Sequence, residues 1–185
     1  MLLFILVIPL LIARIKKYDC KNLIKAYDLY PLIMIELVHL FFQINALFGN
    51  YSFVRYAVYI QYAFNISLLV PIIYRKLYSP AICGSVFVII GSILNRAVIA
   101  CNNGKMPVYP TLSNITGFYK NGILSQGVDN LHILMSSSTS LNFFGDYIDL
   151  GFSIMSIGDI LIHSFLGIIV FYTIKTLNLN KAKLN

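Results

Sequence analysis

PAICGSVFVIIGSILNRAVIA, residues Pro80 to Ala100, carries one charged side chain, Arg96, in an otherwise uncharged and mostly apolar run. A helix needs about 20 such residues to cross the hydrocarbon of a bilayer. Inside lipid only a helix or a closed barrel satisfies every backbone N–H and C=O. The stretch therefore reads as a membrane-spanning helix, and the chain on either side reads the same way. Upstream, the basic turn Arg75 to Ser79 separates it from a second apolar run, Phe53 to Tyr74. A tight turn at Gly49 to Ser52 leads back to Leu29 to Phe48, whose Pro31 sits in the first turn, where a missing N–H is tolerated. A basic loop, Arg14 to Asp28, follows a short apolar run from Leu2 to Ala13 that spans only with its flanks. Downstream, residues 101–152 are polar and rich in Gly, Asn and Ser, and Ser153 to Thr173 is the last span before a short basic tail. The expected fold is all-α: a single integral membrane domain over residues 1–185. It is a polytopic helix bundle of about five transmembrane spans, at about 2–15, 29–48, 53–74, 80–100 and 153–173, with an extracytoplasmic segment at 101–152.

The composition agrees. Of 185 residues, 58% are hydrophobic and 11% charged, and the mean hydropathy is +0.78. Soluble domains carry about 25% charged residues, so an ordinary soluble, disordered or nucleic-acid-binding protein is excluded. The net charge of +7 is then a topology signal, because Lys and Arg gather on the cytoplasmic side of spans. With the loop after the first span inside, that side holds Arg14, Lys16, Lys17, Lys21, Lys25, Arg75, Lys76, Lys175, Lys181 and Lys183, ten of the fourteen basic residues. Lys105 and Lys120 fall outside, and Arg55 and Arg96 within spans. This places the protein in the cell membrane with its N-terminus outside and its C-terminus in the cytoplasm. No basic residue precedes the first apolar run, which reads as an anchor and not as a cleaved signal. Cys20, Cys83 and Cys101 have no metal-binding spacing, and neither a disulfide, a metal nor a cofactor is expected. Membrane lipid is the one partner the composition demands.

Polar residues within spans are costly and point to the bundle interior. Glu36, His39 and Gln43 share one face of the second span, and Asn65 and Gln61 of the third lie at a depth where they would partner Glu36. This stripe is either polar glue between helices or the ion path of a small transporter. Arg96 and Arg55, near the outer ends of their spans, either snorkel to the headgroups or hold an acidic group at the outer face.

Four of the seven acidic residues, Asp129, Asp146, Asp149 and Asp159, crowd between positions 129 and 159. Asp146 and Asp159 each follow a glycine near the entrance of the last span. Two neighbouring carboxylates push one pKa up and leave the other low, which supplies an acid and a base. They are therefore a candidate catalytic dyad, with Arg96, Asn102, Asn103, Gly104, Lys105 and His132 supporting it or binding substrate, and His163, one turn after Asp159, orienting it. A purely structural reading stands beside this one. Ser156-x-x-Asp159 is a capping box, Asp146 after Gly145 suits a turn, and His132 suits a surface.

Asn102-Asn103-Gly104-Lys105-Met106-Pro107-Val108, then Gly145-Asp146, then Ser156-Ile157-Gly158-Asp159, resembles an uncharacterised family of small bacterial multi-pass membrane proteins. That family shows N-G-G-[KR]-M-P-V and S-I-G-D in the same order, and Asn103 stands here where its first Gly usually does. The resemblance implies no activity. Asp146-Tyr147-Ile148-Asp149 and Ser156-Ile157-Gly158-Asp159 are also similar to the end of signal peptidase II, whose two aspartates in corresponding segments form its catalytic dyad. That similarity implies an aspartic-type membrane hydrolase at the outer face of the cytoplasmic membrane, acting on a membrane-anchored peptide or lipoprotein-like substrate. The alternatives are a non-catalytic membrane subunit or partner-binding protein whose outer segment docks its ligand, and a small transporter using Glu36.

Overall fold

The computed structural model describes residues 2–50, 52–119 and 131–184; Lys120 and Asp129 lie outside the described residues. The protein is predominantly helical. Its helices are α1 (Leu2–Ile15), α2 (Tyr30–Leu47), α3 (Ala57–Tyr74), α4 (Tyr78–Cys101), the short α5 (Leu112–Thr116) and α6 (Ile157–Leu184). Among the described residues three helical segments are long and apolar enough to cross a membrane: Tyr27–Leu47, Tyr78–Cys101 and Ile157–Leu179. Two shorter apolar helices, Leu6–Ile15 and Tyr59–Tyr74, accompany them.

The boundaries depart from the sequence reading where local chemistry intervenes. The last helix starts at Ile157, not at Ser153, because Ile154–Met155 pairs with another strand and Ser156 caps the helix. It runs on to Leu184, since no Gly or Pro after Gly167 stops it. The helical fold carries one local addition, because the segment after α4 is not a plain loop. It contains β1 (Met106–Val108), β2 (His132–Leu134), β3 (Ile148–Asp149) and β4 (Ile154–Met155). Strands β1 and β2 pair in parallel, with Met106 opposite His132 and Val108 opposite Leu134, while β3 and β4 are antiparallel.

Helices α1 to α4 end alike. In each, an N–H reaches back five residues to close the final turn: Tyr18 to Ala13, Asn50 to Asn45, and Leu77 to Ile72, each at 2.9 Å, and Gly104 to Ile99 at 2.9 Å. This closure needs a residue in the left-handed region. Lys17, Gly49, Lys76 and Asn103 take that place, with φ of 59°, 83°, 55° and 56°.

The chain forms two compact units. The first is built from Met1–Leu40, Tyr56–Phe87 and His163–Asn185. Its core is the face of α6 carrying Leu166, Ile169, Val170 and Ile174, at i, i+3, i+4 and i+8, packed with Ala13, Ala26, Leu29, Leu32, Leu68, Ile72 and Leu77. Arg75 and Asp28 form a buried bidentate ion pair, Nε to Oδ2 at 2.7 Å and Nη2 to Oδ1 at 2.5 Å. The Asn178 side chain takes both the N–H and the carbonyl of Asp19, at 2.8 and 3.1 Å.

The second unit is built from Phe41–Arg55 and Val88–Ile162. Gly91 of α4 and Gly158 of α6 meet so closely that a Cβ on Gly91 would lie 2.4 Å from the Gly158 carbonyl oxygen. Only small residues allow two helix backbones this approach.

Candidate functional site

The site candidates from α4 onward all belong to the second unit except His163, and the strand register decides how they meet. Parallel partners project to the same face of a sheet, so Met106, Val108 and His132 share one face. Asp146 pairs with the free edge of β1: its N–H donates to the Pro107 carbonyl at 2.9 Å, and its carbonyl accepts from Tyr109 N–H at 2.7 Å. Opposite Val108, its side chain joins that face. There Asp146, only 5% exposed, meets the half-buried His132, with Oδ2 3.3 Å from Nε2. Gly145 is what lets this strand lie flush, because a Cβ would stand 2.8 Å from the Pro107 oxygen.

Asp159 lies in a different setting. The capping box forms in full: Asp159 N–H donates to Ser156 Oγ at 3.0 Å, and Ser156 N–H donates to Asp159 Oδ2 at 3.1 Å. Asn95 of α4 then joins both residues. Its amide donates to Asp159 Oδ1 at 2.9 Å, and its carbonyl accepts from the Ser156 hydroxyl at 2.9 Å. Both carboxylate oxygens of Asp159 therefore accept hydrogen bonds that fix the start of α6 against α4. A Cβ on Gly158 would fall 2.0 Å from Asn95 Oδ1, so the glycine makes room for this clasp. His163, half-buried, follows one turn later on α6.

Asp149, read from the sequence only as part of the acidic cluster, is heavily bonded. Its Oδ2 accepts from Thr111 N–H at 2.6 Å, Ser113 N–H at 2.9 Å and Ser113 Oγ at 2.6 Å, and its Oδ1 accepts from Gly151 N–H at 2.8 Å. Burial pushes its pKa up, but the Ser113 hydroxyl and the N–H groups of Ser113, Gly151 and Thr111 outweigh it, and the pKa lies below the usual 3.8.

Asn102 is buried and structural. Its amide donates to Val98 and Ser140 carbonyls, both at 2.8 Å, and its oxygen accepts from Ser140 N–H at 2.8 Å. It pins the loop before Asp146 to the end of α4. Asn103 and Gly104 supply the left-handed turn after the helix, which explains why Asn stands here in place of Gly: both tolerate positive φ. Arg96 and Lys105 are exposed, and among the described residues neither forms an ion pair. The stripe on α2 departs from expectation. Glu36 Oε2 stands 3.8 Å from His39 Nδ1 on its own helix, while Gln61 and Asn65 are exposed on α3 and bond no described residue.

The structure thus brings His132 to Asp146, and Asn95 with Ser156 to Asp159. The sequence reading missed Asn95, Asp149's role, Asn178 and the Asp28–Arg75 pair. Two of these carried a signal. Asn95 is an amide within an apolar helix, which demands a partner, and Asp28 and Arg75 are opposite charges at the ends of neighbouring apolar helices. Among the described residues no cluster of three or more His, Cys, Asp or Glu side chains is placed to hold a metal.

The chain belongs to a family of unknown function (DUF5317), which it matches over residues 20–173. No curated protein and no solved structure matches it. The similarity to signal peptidase II has no counterpart in these comparisons.

Proposed function

We propose that this member of the family is a five-span protein of the cell membrane, N-terminus outside, whose segment between α4 and α6 is a rigid, non-catalytic platform that binds a partner at the outer face. One observation carries this reading: the motif residues are used up in building the platform. Asn102 staples a loop, Asn103 and Gly104 end a helix, Asp149 gathers four N–H and O–H donors within 3.0 Å, and both oxygens of Asp159 serve the start of α6. An aspartic peptidase needs a second carboxylate at liberty to exchange a proton. Among what the segment leaves exposed are large apolar side chains: Ile115 is 83% exposed and Phe143 67%, with Tyr109, Leu112, Leu134 and Phe152 also exposed. Large apolar side chains offered by a contiguous patch are what a partner covers.

Covering such a side chain contributes about 1.5–3 kcal/mol, so removing one weakens an interface roughly ten- to a hundredfold. A photoreactive side chain at position 115, in intact cells, is expected to cross-link one discrete partner, and Phe143→Ser is expected to cut that yield about tenfold. Labelling no greater than from the exposed, polar Ser137 overturns the reading.

A second reading rests on the pairing of buried Asp146 with half-buried His132. A buried carboxylate that fixes the tautomer of a histidine is the arrangement of a general base. On this reading His132→Gln and Asp146→Asn both abolish function while Lys105→Gln does not. Equal loss from Asp159→Asn would instead favour the Asp146–Asp159 dyad.

A further inference from the structure

Helix α3 turns Leu68, Pro71 and Ile72 into the core of the first unit. Its other side is exposed and carries Tyr62, Asn65, Ile66, Leu69 and Ile73, with Gln61 one turn before Asn65. Exposed Ile and Leu on a membrane helix need no explanation, because lipid tails are as apolar as they are. Exposed amides do. Each amide offers two N–H donors and a carbonyl acceptor, and hydrocarbon supplies no partner for any of them. Neither Gln61 nor Asn65 is bonded to any described residue, and both lie within α3, away from its ends.

We infer that the Gln61–Asn65 face of α3 is the contact between two copies of this chain in the membrane. The inference rests on the reading above that α3 is a span. An amide is both donor and acceptor, so Asn65 of one copy and Asn65 of the other satisfy each other across a two-fold axis. Such an isologous contact presents the same residues from both sides. Both copies insert in the same orientation, so the two α3 helices run parallel with their Asn65 residues at one depth. Tyr62, Asn65 and Leu69 follow at i, i+3 and i+7, with Ile66 and Ile73 beside them, the spacing of a seam between two parallel helices. A single polar residue in such a seam fixes register and pairing. Two amides one turn apart, at i and i+4, fix it twice.

The test uses the full-length chain in phosphatidylcholine vesicles, with donor and acceptor dyes on the C-terminal tail. Energy transfer is expected to persist as the lipid-to-protein ratio rises. Gln61→Leu with Asn65→Leu is expected to weaken association by roughly tenfold or more, and Asn65→Gln, which keeps the amide, to retain most of it. A wild-type chain that is monomeric at every dilution, or a double variant that associates as the wild type does, overturns the inference. Cross-linking from position 62 in native membranes onto a different protein overturns the second copy as occupant. A membrane-impermeant maleimide separates this from the underlying topology. In a chain freed of Cys20, Cys83 and Cys101, Asn65→Cys that is labelled overturns the span itself. Protection from the maleimide together with loss of association confines the failure to the interface.

Discussion

Asp149 is where a single side chain has the most to hold together. Thr111, Ser113 and Gly151 all point their donors at it, so it joins the start of α5 to the turn after β3. These bonds favour the ionised form and hold its pKa below 3.8 in the folded protein, despite the opposing effect of burial. A carboxylate depressed in this way stabilises the folded segment at pH above its unfolded value, and that contribution is lost as pH falls through the folded value. Amide exchange of residues 112–116, corrected for intrinsic rates, is therefore expected to be slow at neutral pH and to quicken only below about pH 4. Asp149→Asn is expected to show the fast exchange at neutral pH as well. Protection in that variant equal to wild type would remove the carboxylate from its role. Thr173 shows the opposite situation: it is fully buried, and its hydroxyl meets no hydrogen-bond partner among the described residues.

The helix ends carry a cost of their own. Lys17, Lys76 and Asn103 occupy left-handed positions that cost a residue with a Cβ about 1 kcal/mol. Asn103→Gly is expected to raise stability by up to about 1 kcal/mol, read as a higher unfolding midpoint in detergent, because the relief of backbone strain exceeds the extra freedom that glycine gives the unfolded chain. A lowered midpoint would mean that the Asn103 side chain makes a contact worth more than the strain. At Lys17 and Lys76 a different effect offsets the strain: a positive charge just past a helix C-terminus complements its dipole, and on the proposed topology it adds to the charge that orients the chain. Elements of this kind were legible in the sequence, since apolar runs and the breaks between them gave all five long helices to within a few residues at most ends. The capping box at Ser156 and the turn after α4 were legible too, because their donors and acceptors are near in sequence. The strands were not. Met106–Val108 and His132–Leu134 are three residues each, too short for an alternating pattern, and their pairing depends on residues 26 apart. The same distance hid the Asn95–Asp159 clasp, whose partners are 64 positions apart.

At the scale of the molecule, the ten basic residues assigned to one side make the five-span topology testable by accessibility. Single cysteines in a chain lacking its native ones are expected to react from outside at position 105 and only from the cytoplasm at positions 17 and 76. Labelling of 105 from the cytoplasm overturns the topology and moves the platform to the other side. The two units are each locked by an asparagine with the same bonding. Asn102 grips the backbone of Ser140 and Asn178 that of Asp19, and each also donates to the carbonyl four residues before it, that of Val98 or Ile174. They differ in reach, 38 positions against 159. During synthesis that difference becomes one of time. The Asn102 lock closes once Ser140 follows, 38 positions on, whereas Asp19 must wait for Asn178, 159 positions on. Until α6 is made, Ala13, Leu29 and Leu68 have no central helix to pack on. Helices α1 to α3 are thus made early and secured late, and a chain terminated before Leu166 is left with apolar helices that lack their central partner and are open to quality-control proteases.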